Sequence, residues 1–235
     1  MFKEMQSLAN AQMTDASPHK VAGFYPYADN GGTLAAIAGD GFVVIGGDTR
    51  LTTGYQIYSR EASKLTKLTD KTIIGSCGCW CDSLTFTKGL HIRLQYYLYE
   101  NNKPISTNAT AQLVSNMLYQ KRFFPYYVST IVAGLDADNQ GAVYSYDPVG
   151  STERHRYRAQ GTAGSLIQPF LDCVLGRGNQ TAPEPEKLTK EQAMIYLKDA
   201  FMSAAEREIG CGDFLQIMIV TPQGVEEERF KLRKD

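Results

Sequence analysis

The chain has 235 residues, 43% apolar and 21% charged, with a net charge of −1. This size and balance suit one layered α/β domain with a large core. They exclude a basic nucleic-acid surface, because no cluster of Lys and Arg exceeds the ending Lys231, Arg233, Lys234. No apolar run reaches the roughly 18 residues of a membrane span, so neither nucleic acid nor membrane is expected as a partner.

Residues 1–22 carry Lys3 and Glu4 but no continuous apolar stretch. They read as a flexible extension or propeptide, not a secretory signal. Phe24, Tyr25, Pro26 and Tyr27 follow. Proline pushes its predecessor out of the helical region, so this piece is expected to run extended and pack on something. The resulting division is an N-terminal extension over 1–30, partly trimmed, and a single domain over 31–235.

Two apolar runs, Thr33–Ala38 and Phe42–Gly47, flank Gly39-Asp40-Gly41, which is hairpin chemistry. Asp48-Thr49-Arg50 follows. Tyr55–Arg60 alternates and reads as a strand. Lys64–Lys67 and Thr72–Cys77 form a second hairpin around Thr69-Asp70-Lys71. An Asp and a Lys delivered by neighbouring strands suggest a hydrolase site. Trp80, the one tryptophan, reads as packing or interface.

Asp82 is the expected cap of a helix over Ser83–Glu100, with Phe86, Leu90, Leu94, Tyr97 and Leu98 at helical spacing. Ser106 or Thr107 caps a second helix with Ala111, Val114, Leu118 and Tyr119 on its apolar face. Strands resume at Tyr127–Gly134, Ala142–Asp147 and Arg154–Ala159. A helix after Gly161 runs through Leu166, Phe170 and Val174, followed by a loop over Gly176–Lys187. Thr189-x-x-Gln192 is a capping box opening a helix to about Glu208. Asp213–Val220 and Val225–Leu232 close the chain as a hairpin. Runs of strands followed by runs of helices indicate an α+β fold.

The five cysteines include three crowded at Cys77, Cys79 and Cys81. An odd count suits a reducing compartment, here the cytoplasm and nucleus. The crowded three read as small buried thiols, with a metal site as the alternative. Structural zinc favours wider spacing and a second pair of ligands, and His19, His91 and His155 are isolated.

This order resembles the proteasome β-type subunits, a branch of the N-terminal-nucleophile hydrolases, over residues 24–235. The matching residues are Gly31-Gly32-Thr33, Asp48-Thr49-Arg50, Lys64, Gly75-x-x-Gly78 ahead of Asp82, and Gly134-Leu135-Asp136. Lys121–Val128, Gly141–Ser151 and the ending Leu232-Arg233-Lys234-Asp235 are most similar to the non-catalytic beta type-1 branch, at the sixth place of the β ring. The resemblance implies a four-layer αββα sandwich and a stacked-ring hetero-oligomer with other β subunits and α subunits. It implies no cofactor and no metal.

Active members of the family use the hydroxyl of an N-terminal threonine as nucleophile and its own α-amine as base. A lysine tunes that site by its charge, an aspartate holds the lysine, and the N–H groups of a glycine turn stabilise the oxyanion. In the family the aspartate lies sixteen residues after the threonine, and the lysine thirty-two after it. Counted back from Asp48 and from Lys64, both spacings land on Gly32, which has no hydroxyl. Gly78 matches the oxyanion glycine. The resemblance therefore implies a degenerate frame, Gly32, Asp48, Lys64 and Gly78, without a catalytic residue. Glu208, Cys211 and Thr162 stand where an aspartate and two serines are usual. The alternative is an active threonine endopeptidase that exposes Thr33 by cleavage at Gly32-Thr33. A one-residue slip along a strand turns the side chain to the opposite face, so Thr33 is expected to point away from Asp48 and Lys64. On this view Asp48 and Lys64 form a buried salt bridge, and Arg50 is a structural pairing residue.

Overall fold

Thr33–Ala38 (β1) and Val43–Asp48 (β2) are buried at every position, as apolar strands covered on both faces must be. They pair antiparallel, Leu34 opposite Gly47 and Ala38 opposite Val43. The computed structural model describes residues 25–178, 180–181 and 187–234. Most of the expected extension, and Phe24, lie outside the described residues.

Beyond the first hairpin come Leu51–Thr53 (β3), Gln56–Ser59 (β4), Leu65–Thr69 (β5), Thr72–Gly78 (β6), Val128–Leu135 (β7), Gly141–Tyr146 (β8), Thr152–His155 (β9), Tyr157–Gly161 (β10), Phe214–Thr221 (β11) and Gly224–Lys231 (β12). One antiparallel sheet has the order β10-β1-β2-β11-β12, and a second has β5-β6-β7-β8-β9. The helices are Trp80–Asn101 (α1), Thr107–Tyr119 (α2), Gly164–Leu171 (α3) and Lys190–Ala205 (α4).

Three apolar clusters set the layers. Leu34, Ala36, Ile45, Ile131, Val143 and Met218 fill the space between the sheets. Ala35, Ile37 and Val44 face the other way, against Ile167 of α3 and Leu197 and Phe201 of α4. Ile74 and Val132 pack against Phe86 and Leu90 of α1 and Val114 of α2. The fold is thus α+β, a four-layer αββα sandwich. Each fully buried Leu or Ile contributes about 1.5–3 kcal/mol relative to exposure.

Four expectations need correction. The single strand over Arg154–Ala159 is two strands in different sheets. β9 pairs with β8 and β10 with β1. Packed sheets stand about 10 Å apart, so one straight strand cannot serve both, and the chain crosses at Arg156. Asp82 does not cap α1. The helix starts three residues earlier, with Cys79 at the cap position, and Asp82 Oδ2 accepts from the Tyr127 N–H at 2.9 Å. The helix expected through Val174 ends at Leu171 and continues as a wider π turn, Asp172–Gly176. Pro169 inside α3 has no N–H to donate and disturbs the regular ladder. The last helix ends at Ala205, not Glu208. Its capping box is present, with Thr189 Oγ1 accepting from Gln192 N and Gln192 Oε1 from Thr189 N.

Candidate functional site

Asp48 ends β2, Lys64 immediately precedes β5, Cys77 and Gly78 end β6, and Gly32 leads into β1. The topology brings these ends together at one edge of the inter-sheet space. Lys64 is anchored by all three of its N–H donors. Its Nζ donates to the Asp48 carbonyl at 2.8 Å and the Arg50 carbonyl at 2.6 Å, and lies 3.1 Å from Asp48 Oδ1. Both side chains are fully buried. Asp48 Oδ1 also accepts from the Thr33 N–H at 2.7 Å. Burial pushes the Asp48 carboxyl up, and the Lys64 ammonium and the Thr33 N–H pull it back.

Gly32 lies directly over this pair. Its φ is +97°, and a Cβ built on it would stand 2.2 Å from Lys64 Cε, 2.8 Å from Lys64 Cδ and 3.1 Å from Cys77 Cβ. Position 32 therefore points at the stem of the buried lysine, and only glycine fits. Cys77 shares the floor. Burial pushes its thiol up to about 12, so it is protonated at neutral pH and is no thiolate nucleophile.

Thr33 is one step along and faces the opposite way. Its hydroxyl accepts from the Ala163 N–H at 3.1 Å and lies 3.2 Å from Thr162 Oγ1. Its neighbours on that face, Ala35 and Ile37, pack against α3 and α4, whereas Leu34 and Ala36 face the second sheet. Burial pushes the Cys211 thiol up, and the neighbouring Thr33 pulls it back. Thr162 and Cys211 thus surround the hydroxyl of Thr33 on the helix side, away from Lys64. Glu208 instead accepts locally from the Gly210 N–H at 3.1 Å.

Gly78 completes the edge. Its N–H donates to the Gly31 carbonyl at 3.2 Å, and its carbonyl accepts from the Asn30 N–H at 3.1 Å. The donor matched to an oxyanion glycine is thus taken by the chain's own upstream segment. A cleft of about 320 Å³ opens beside it, lined by Asp29, Gly32, Cys77, Gly78, Ser129 and Thr162.

The upstream segment is clasped by Asn30, which sequence reading missed. Its Nδ2 donates to Thr52 O at 3.1 Å and Thr53 Oγ1 at 3.0 Å, and its Oδ1 accepts from Trp80 N at 2.9 Å. Cys79 offers no side-chain cap, so Asn30 satisfies one of the N–H groups that a helix start leaves unpaired. Tyr27 anchors the segment further out. Its hydroxyl donates to Pro125 O at 2.6 Å, and its ring packs against Phe124 and Tyr127 at 5.8 and 5.6 Å. In the expected aromatic stretch Phe123 stays 83% exposed, while Tyr126 packs on Phe86.

Arg50 does pair, through Nε to Asp213 Oδ2 at 2.8 Å, and Arg60 meets Asp213 Oδ1 at 2.6 Å. Asp213 was not singled out, since nothing near it in the chain marks it. Cys77 and Cys79 are buried and Cys81 is exposed, and all five cysteines are free. Among the described residues no group of three or more His, Cys, Asp or Glu is placed to hold a metal.

A family model described as proteasome subunit matches residues 28–220. The proteasome subunit beta type-1 of Drosophila melanogaster is 49% identical over 90% of this chain and 91% of its own. The proteasome subunit beta type-1-B of Carassius auratus is 47% identical, covering 97% of both chains. The proteasome subunit beta type-6 of Saccharomyces cerevisiae is 43% identical over 98% of this chain and 100% of its own.

Proposed function

The chain belongs to the proteasome subunit family, and we propose that within it the chain is a non-catalytic β subunit of the 20S core particle. It stands in a ring of β subunits beside α subunits, forms part of the wall of the proteolytic chamber, and serves protein degradation by its place in the assembly. Gly32, Asp48, Lys64 and Gly78 are the frame of a threonine-protease site without its nucleophile. The observation that carries this reading is Gly32 over the fully buried Asp48–Lys64 pair, where a nucleophile's Cβ would have to stand. Thr33, the hydroxyl residue that follows it in the chain, is turned to the helix layer and engaged by Ala163.

A chain that lacks the nucleophile cannot remove its own extension by the threonine route, so a sister subunit trims it. Phe24 to Asn30 stays on the mature chain as an N-terminal arm, held by Tyr27 and Asn30. Unpaired cysteines suit the reducing cytoplasm and nucleus, where we place the assembled particle. N-terminal sequencing of this chain from purified particles tests the reading. A start upstream of Gly31 is expected, and a mature chain beginning at Thr33 overturns it.

A further inference from the structure

Asn30 and Gly31 form the one Asn-Gly pair in the chain, and the fold makes use of both members. Gly31 has a φ of +67°, and a Cβ built on it would stand 2.9 Å from Thr52 Oγ1, so glycine suits the position on both counts. Asn30 is 8% exposed and ties the upstream segment to β3 and to the start of α1 through both ends of its amide. Its backbone is held as well, with its N–H donating to the Gly78 carbonyl and its carbonyl accepting from the Thr52 N–H, each at 3.1 Å.

Asn-Gly is also the dipeptide most open to one side reaction. With no Cβ on the second residue, its nitrogen can reach the asparagine side chain. The Gly31 nitrogen attacks Asn30 Cγ, the Cγ–Nδ2 bond breaks, and ammonia leaves with the proton that the Gly31 nitrogen gives up. Water then opens the five-membered imide. Cleavage at Cγ yields aspartate, and cleavage at the main-chain carbonyl carbon yields isoaspartate. Nothing is oxidised or reduced, and water is the sole co-reactant. In the fold both reacting groups are engaged. The Gly31 N–H donates to Asp29 Oδ1 at 2.9 Å, and Cγ cannot swing toward it without breaking three side-chain hydrogen bonds.

We propose that Asn30-Gly31 is a modification site that acts as a timer, open to deamidation in the unfolded chain and sealed by folding, with products that do not regain the native fold. The geometry supplies the last step. In aspartate an oxygen takes the place of Nδ2, 3.1 Å from the Thr52 carbonyl oxygen. The Thr53 hydroxyl can turn to donate to it, but the Thr52 carbonyl only accepts, so a buried anion faces a lone pair. Isoaspartate adds a carbon to the backbone just ahead of Gly32, where a single Cβ already has no room over Lys64. Chains that stay unfolded are thus withdrawn from assembly, while folded ones keep Asn30.

The test follows position 30 of the full chain by peptide mapping and mass spectrometry, in native buffer and in guanidinium at the same mildly alkaline pH. The denatured chain is expected to convert Asn30 about a hundredfold faster or more, because the native side chain must first give up its three hydrogen bonds. In the denatured chain, where folding plays no part, Gly31→Ala is expected to slow conversion about tenfold or more. One rate in both states, or a rate indifferent to Gly31→Ala, overturns the proposal. Asn30→Asp, which carries one of the two products, is expected to enter particles about tenfold less than the parent chain. Denatured chains aged and then returned to native buffer should leave their converted members in the protease-sensitive fraction. Normal incorporation of Asn30→Asp, or converted chains spread evenly between resistant and sensitive fractions, also overturns it.

Discussion

Gly32→Ala is the smallest change that probes the frame. The added Cβ would meet Lys64 Cε at 2.2 Å and Lys64 Cδ at 2.8 Å. A lysine stem usually swings aside cheaply, but here Nζ is pinned by the Asp48 and Arg50 carbonyls and the Asp48 carboxylate in full burial. Moving it breaks those contacts. A non-glycine residue at this positive φ costs about 1–2 kcal/mol, and overpacking a tight site adds about 1–3 kcal/mol. The expected loss is about 2–5 kcal/mol. For a chain of this size that lowers the melting temperature by about 2–4 °C per kcal/mol. Denaturant or thermal unfolding of the full chain measures it. The clash belongs to the pair, so the penalty in a Lys64→Ala background should shrink to the backbone strain, a coupling of about 1–3 kcal/mol. A Gly32→Ala chain as stable as the parent, or an equal penalty with and without Lys64, would refute the geometry.

Three further outcomes follow from the same structure. Asn30→Ala removes the acceptor for Trp80 N and two donated bonds, and should cost about 1–3 kcal/mol by chemical denaturation. Lys64→Met leaves the Asp48 carboxylate buried without its cation and should cost about 3–5 kcal/mol. Asp48→Asn, which keeps the Asp48 and Arg50 carbonyls as acceptors for Lys64, should cost less, and the reverse ranking would contradict the assigned contacts. Burial and then the Arg158 charge hold His155 below its usual 6.5, with Glu153 opposing. The unfolded chain therefore binds the proton more readily, and His155's contribution to stability, full above about 6.5, is lost as pH falls through its lowered folded value. A titration of His155 by NMR should show that lowered value, and Arg158→Met should raise it.

Local chemistry made much of the fold legible. The apolar runs of β1 and β2, Gly39-Asp40-Gly41 between them and the Thr189 capping box each act within a few residues, and each element formed where its residues place it. Arg154–Ala159 reads as one strand because alternation is the same in both sheets. Only the pairing of β9 with β8 and β10 with β1, far apart in the chain, splits it. The site divides in the same way. Spacing from Asp48 and Lys64 pointed to Gly32, but Asn30 reaching Trp80 and Arg50 reaching Asp213 depend on contacts 50 and 163 residues apart.

The central claim is that no nucleophile stands over Lys64. Assembled particles treated with a peptide epoxyketone, which reacts with N-terminal threonines, test it most directly. Mass spectrometry should find the adduct on sister β subunits and none on this chain. An adduct on Thr33 of this chain would contradict the account.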